Sequence, residues 1–214
     1  MKIALYGATG NLGQRILREA LERGHEVTAI VRDPARLDVA NERLTVVTGN
    51  ITDAASVAQD VRGHDAVIGS ISGRRDGNAD HIIVAAETVL KALPESGVKR
   101  LVWVGGAGSL EVAPGVKLID IPEFPEEYKV EASTQVTTLE MFRAVSADEV
   151  EWSFFSPAAV IAPGERTGKF RLGGDQLVTD AEGNSHISIE DFAVALIDEV
   201  EKPHHIGQRF TIGY

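Results

Sequence analysis

Three glycines near the start of the chain, Gly7, Gly10 and Gly13, stand three residues apart between a short apolar run and a stretch of helical periodicity. Glycines so placed can make a bare turn: the chain swings from strand into helix, and no Cβ keeps a ligand away from the backbone. The first N–H groups of the helix lack partners within it, and the helix dipole makes that end partly positive, so the turn suits a diphosphate. Thr9, Asn11 and Leu12 occupy the positions between and would border the same group. Strand, glycine turn and helix inside a repeated βα pattern is the setting that a dinucleotide fingerprint requires. Arg32 follows the second apolar run, where an acid would take the ribose hydroxyls of NAD. Its planar guanidinium can instead pair with a 2′-phosphate and stack on adenine, and Arg36 lies one turn further on. Asp33 argues the other way if it faces the ribose, but it can equally open the turn with Pro34. The charge pattern favours NADPH over NADH.

Other residues that could carry chemistry are less organised. None of the six histidines has the i, i+4 spacing of a helical metal motif, so no metal site is expected and His204 and His205 read as solvated loop residues. Asp120, Glu123, Glu126 and Glu127 read as a solvated acidic face. The chain has no cysteine, which excludes disulfides, thiolate metal sites and cysteine nucleophiles and agrees with a cytoplasmic setting. A net charge of −11 would repel a phosphate backbone, and no basic stripe offsets it, so nucleic acid is not an expected partner. No apolar run approaches the ~18 residues of a membrane span, and residues 1–6 do not form an export signal.

The elements that would position these residues follow from periodicity. Short runs rich in Val, Ile and Leu predict strands at Lys2–Gly7, Glu26–Val31, Leu44–Thr48, Ala66–Ser70, Arg100–Val104 and Glu151–Phe155. Helices are expected at Leu12–Arg23, Ala54–Arg62, Ala79–Leu93 with Pro94 as the stop, Glu126–Val145, and Ser188–Glu201 with Ser188 as N-cap. Ser156–Asp180, rich in proline and glycine, reads as loops with a small hairpin. The 214 residues suit one domain of α/β class. That domain would be Rossmann-like and doubly wound, a mainly parallel sheet with helices on both faces. Residues 1–150 would hold the cofactor and 151–214 would form a small substrate-cleft segment.

The spacing Gly7-x-x-Gly10-x-x-Gly13 resembles that of the extended and atypical short-chain dehydrogenase/reductases, in particular the NAD(P)H-binding group with NmrA-like and flavin (biliverdin) reductase-like proteins. Val31-Arg32-Asp33-Pro34, Gly49-Asn50-Ile51-Thr52-Asp53, Ser70-Ile71-Ser72-Gly73 and Phe155-Ser156-Pro157-Ala158 match that group in order. The resemblance implies that Asn50 and Ile51 border the adenine, and that Ser70, Ile71 and Ser72 line the nicotinamide-side ribose and phosphates. Gly105 would border the cofactor after the fifth strand, and Pro157 and Ala158 would meet the nicotinamide carboxamide.

Short-chain dehydrogenases place a lysine four residues after a catalytic tyrosine to lower its pKa. The candidate tyrosine here is Tyr128, but position 132 is alanine and Glu131 has the wrong sign. Ser109, after the flexible turn 105–108, stands where relatives carry an active-site hydroxyl. Hydride transfer to an electron-poor acceptor needs no tyrosine base. The resemblance therefore implies an NADPH-dependent reductase of a small acceptor such as a flavin, quinone or tetrapyrrole, as monomer or homodimer. The alternatives are an NmrA-like NADP(H) redox sensor and an NAD-dependent epimerase or dehydratase.

Overall fold

The computed structural model describes residues 1–73 and 77–214. In chain order the first half comprises β1 (Lys2–Tyr6), α1 (Asn11–Glu22), β2 (Glu26–Val31), β3 (Leu44–Thr48), α2 (Ala54–Asp60), β4 (Ala66–Gly69), α3 (Asp80–Ser96) and β5 (Arg100–Val104). Then come β6 (Glu111–Ala113), β7 (Val116–Lys117), α4 (Glu126–Arg143), β8 (Glu151–Ser156), β9 (Val160–Ala162), β10 (Arg171–Gly173), β11 (His186–Ser188), α5 (Ile189–Glu201) and β12 (Gln208–Gly213).

Eight strands form one sheet in the order β10-β12-β8-β5-β4-β1-β2-β3, parallel throughout except at the β10 edge, which runs antiparallel to β12. The fold is a mostly parallel, Rossmann-like α/β sandwich. Strand alternation explains its two cores. Ile3, Leu5, Ala29, Phe155 and Phe210 point to the face covered by α1 and α5 through Ile16, Leu17, Phe192 and Leu196. Ala4, Tyr6, Val67, Trp103 and Phe154 point to the face covered by α2, α3 and α4 through Val57, Val89, Leu139 and Phe142. Strands covered on both sides must be apolar throughout, and every residue of β5 is buried. Phe142 fixes α4 against the sheet, its ring 5.4–5.7 Å from those of Phe154, Trp103 and Trp152.

The order of the strands reverses between β1 and β4, which opens a crevice beyond their carboxyl ends. α4 begins at that edge, because the chain after it reaches the amino edge, where Glu151 N–H donates to Lys99 O, and returns as β8. Ser188 caps α5, its Oγ accepting from Asp191 N–H at 3.0 Å.

Two expectations are corrected and one strand is added. Pro94 does not stop α3: it lies in the last turn, where one lost N–H is outweighed by burial of Leu93 and Val98, and the helix ends at Gly97 in the left-handed region (φ 80°). Residues 156–180 hold no hairpin, since β9 pairs in parallel with the distant β11 and β10 joins the main sheet; the small hairpin is β6–β7. The last strand, β12, carried no expectation and lies beside β8 in the sheet.

Candidate functional site

The glycine turn lies at the carboxyl end of β1, against the segment that follows β4. Gly7 has φ 86°, and a Cβ there would come 1.9 Å from Ser70 O; one on Gly13 would come 2.0 Å from Gly7 O. Those two positions must be glycine for the strands and α1 to close. Gly10 differs: with φ −76° a side chain is allowed, and its Cβ would meet only Gly7 O, at 3.2 Å. Packing does not demand glycine at position 10; what its bareness preserves is open space above the turn. Gly10 N–H donates to Gly7 O and Gln14 N–H to Gly10 O, which shapes the first turn of α1. That turn has neither a side-chain cap nor an acid, so its N–H groups meet the requirement of a diphosphate cradle. Asn11 Oδ1 accepts from Arg15 Nη1, Leu12 packs on the α1–α5 core, and Thr9 O accepts from Gln14 Nε2.

Beyond β2 and β3 is a cavity of about 510 Å³ lined by Arg32, Thr48, Gly49, Asn50, Thr52 and His81. Asp33 turns towards its own backbone, its carboxylate accepting from Ala35 N–H at 3.1 Å to cap the short 3₁₀ turn Pro34–Arg36. Arg36 is exposed at the end of that turn. Asn50 Oδ1 accepts from the Thr52 N–H and hydroxyl, and Asp53 caps α2 through the N–H groups of Ala55 and Ser56. Ile51 is buried in the α2–α3 core. His81 is an addition: it comes from the start of α3, and no local sequence signal ties that position to the ends of β2 and β3.

At the other end of the crevice, Ser70 N–H donates to Tyr6 O, Ile71 packs on the second core, and Ser72 Oγ donates to Glu131 Oε1 at 3.1 Å. Glu131 thus joins the post-β4 segment to α4. Tyr128, one turn earlier on α4, is 44% exposed. Ala132 and Ile119 both lie against Gly108, and Lys129 pairs with Glu126 at 2.7 Å. Ser109 is buried, and its Oγ accepts from Arg209 Nη1 at 3.2 Å, while Arg209 also pairs with Asp175. Gly105 N–H donates to Phe155 O, Pro157 O accepts from the Thr211 hydroxyl, and Ala158 is buried in the α1–α5 core. The turn glycines and Ser70 therefore meet at one point, Arg32 and Asn50 share a cavity, and Ser109 and Tyr128 are engaged in different surroundings.

Away from the crevice, His205 is a structural residue and not a solvated one. Its ring stacks on Phe210 at 4.2 Å, and Nδ1 lies 2.8 Å from Glu199 Oε2. Burial pushes the Glu199 carboxyl up, but hydrogen bonds from the His205 ring, the N–H groups of His205 and His204 and the Ser153 hydroxyl outweigh burial and hold it below the usual value. Arg100 pairs with the same carboxylate at 2.8 Å. Among the described residues no cluster of His, Asp and Glu could hold a metal ion, and no helix is long and apolar enough to cross a membrane.

Comparison with known proteins agrees with this geometry. A family described as NAD(P)H-binding matches residues 7–203. The chain is 39% identical to the uncharacterized protein YwnB of Bacillus subtilis, over 99% of this chain and 98% of that protein. A protein of Bacteroides thetaiotaomicron described as a proposed epimerase is 43% identical in structure-based alignment, with TM-score 0.90, over 100% of this chain and 96% of its own. A proposed NADH-flavin reductase of Streptococcus pneumoniae is 34% identical with TM-score 0.88, over 100% and 99% of the two chains.

Proposed function

The chain belongs to the NAD(P)H-binding family of short-chain dehydrogenase/reductase-like proteins, and from that premise we propose that it is an NADPH-dependent reductase of a small, flat, electron-poor acceptor such as a flavin or quinone. The observation that supports this reading is the bare, uncapped glycine turn at the start of α1, in a chain whose α4 has Ala132 one turn after Tyr128. In the short-chain dehydrogenases the lysine one turn after the tyrosine makes the phenol a base, and position 132 does not supply it. When bound, the reduced nicotinamide supplies a hydride, and an acceptor that gains it takes its proton from water. The chain's own work is then placement. The start of α1 would hold the diphosphate, and Ser72 and Glu131 would border the nicotinamide-side ribose.

The preference for NADPH rests on Arg32. Arg32 and His81 both line the cavity beyond β2 and β3, while Asp33 is spent on its own turn. A 2′-phosphate placed there would meet a cation. The streptococcal relative carries NADH in its name, so Arg32 is the feature on which this preference stands or falls. Epimerisation would require an acid–base pair to remove and return a proton, and Ala132 stands where the lysine that supports such a tyrosine would be. A second reading, an NADP(H) sensor without turnover, draws support from Ser109, whose hydroxyl is held by Arg209.

The test is oxidation of NADPH and NADH, followed by loss of the reduced-nicotinamide absorbance, with riboflavin, FMN, menadione, biliverdin and an aldehyde as acceptors. Turnover with a flavin or quinone, faster with NADPH, is expected. Tight NADPH binding with no oxidation by any acceptor would replace the reductase by the sensor.

A further inference from the structure

We propose that Gln135 is a specificity-determining residue for the acceptor, and that the acceptor it selects presents an N–H beside a carbonyl, as the pyrimidine edge of a flavin does. This rests on the reductase reading above and narrows its substrate class.

Gln135 is only 6% exposed, yet its Oε1 has no hydrogen-bond partner. Buried side-chain amides are rarely left so, because each lost partner costs free energy. Its position suggests what it awaits. On α4 the buried residues Thr134, Gln135, Thr138, Leu139 and Phe142 form the inward-facing stripe, and Glu131 and Ala132 stand one turn before it. Leu139 and Phe142 lie in the core, whereas Glu131 reaches Ser72 at the crevice. Gln135 falls between them, where the crevice meets the core, and its Cβ and Cγ lie against Gly106 just beyond β5.

A second polar atom without a partner is found at the same end of the sheet. Ser156, at the carboxyl end of β8, is fully buried with its Oγ unpaired. Strand alternation puts it on the face of Phe154, the face that α4 covers. One acceptor on the helix and one hydroxyl on the sheet thus flank the ends of β5 and β8. The diphosphate cradle, at β1 and β4, lies further along the sheet. An acceptor of the hydride that enters over the ends of β5 and β8 would find both atoms unpaired. An amide is matched best by another N–H/C=O edge, whichever way its own is turned. A quinone, which offers carbonyls only, cannot donate to Oε1. A site built to hydrogen-bond one ligand discriminates against an analogue lacking that group.

The experiment compares wild type with Gln135→Met and Gln135→Leu, which keep the volume and remove the amide. Riboflavin binding is read by quenching of its fluorescence with the protein saturated in NADP⁺, so no turnover is needed. The expected result is riboflavin binding weakened by roughly tenfold or more in both variants, with NADPH affinity within about twofold of wild type. Menadione reduction should keep its kcat/KM within about twofold, and the Tm should be unchanged or higher, because an unpartnered polar atom has been removed. Riboflavin binding unaffected by either variant, an equal loss for riboflavin and menadione, or no riboflavin binding by wild type would each overturn the proposal. A Tm several degrees lower would also overturn it, by showing that the amide has partners within the fold. If wild type binds riboflavin through Gln135 but never oxidises NADPH, the reductase reading fails and this assignment stands. If wild type reduces menadione and the variants bind riboflavin normally, the reverse holds.

Discussion

Replacing Arg32 by alanine should weaken NADPH much more than NADH, and the structure bounds by how much. Arg32 is exposed but lines a cavity of about 510 Å³, so its field is neither fully screened nor fully dry. Hydrogen bonds to a charged group contribute about 1.5–3 kcal/mol when sheltered, whereas exposed ion pairs give about 0.2–1 kcal/mol. A contribution of about 1–2 kcal/mol corresponds to roughly 5- to 30-fold in Kd for NADPH. NADH has no 2′-phosphate, so its Kd should move by less than about twofold. Screening adds a second signature: in wild type the gap between the two cofactors should narrow as salt rises from ~0.05 to ~0.5 M, and in Arg32→Ala there should be little gap left to narrow. Calorimetric titration of both proteins with both cofactors at the two salt levels measures this. A parallel loss for NADPH and NADH, or none for either, would show that Arg32 does not read a 2′-phosphate.

Tyr128→Phe should retain more than about a tenth of wild-type turnover with a flavin or quinone between pH 6 and 9, well short of the ~10²–10⁴-fold loss expected for an acid–base catalyst; a hundredfold drop at unchanged cofactor affinity would restore tyrosine-based catalysis. Glu199→Gln should lower stability by about 3–5 kcal/mol at neutral pH, since it strips the buried Arg100 of its counter-charge; chemical denaturation reads this. The folded-state pKa of Glu199 lies below its ordinary value of 4.5, so its stabilisation is full above that pH and is lost as pH falls below it. Melting curves should show that acid-side loss in wild type and a smaller one in Glu199→Gln. Asp191, fully buried, accepts from the Thr167 hydroxyl, Gly168 N–H and the Tyr214 hydroxyl at 2.5–2.8 Å, so Asp191→Ala should cost about 2–3 kcal/mol and speed tryptic cleavage after Arg166.

The parts of the fold that are legible in the sequence are those whose signal is local. The six predicted strands end within a residue of the observed ones, because runs such as Arg100–Val104 must be apolar when helices cover both faces. Strands whose reason is a distant partner were not legible: Val160–Ala162 exists because His186–Ser188 pairs with it. Gln208–Gly213 mixes Arg209 and Thr211 with Phe210 and Ile212, a pattern that makes sense only beside β8. At the site, the glycines carry their own steric reason, and the structure sorts them: positions 7 and 13 are closed by Ser70 and by Gly7 itself, and position 10 is left open. His81 and Gln135 could not be found from spacing, since one enters its cavity from another layer and the other differs from a core residue only in lacking a partner.

The central claim, that a nicotinamide dinucleotide lies with its diphosphate over the turn between β1 and α1, is tested most directly at Gly10. Gly10→Val fills the space above the turn while asking Gly7 O to yield only a few tenths of an ångström, whereas Gly13→Ala would put a Cβ 2.0 Å from the same oxygen and should not fold. Calorimetric titration of folded Gly10→Val with NADPH should show at least a hundredfold loss of affinity, at a Tm within a few degrees of wild type. A folded Gly10→Val protein that binds NADPH as tightly as wild type would contradict the account.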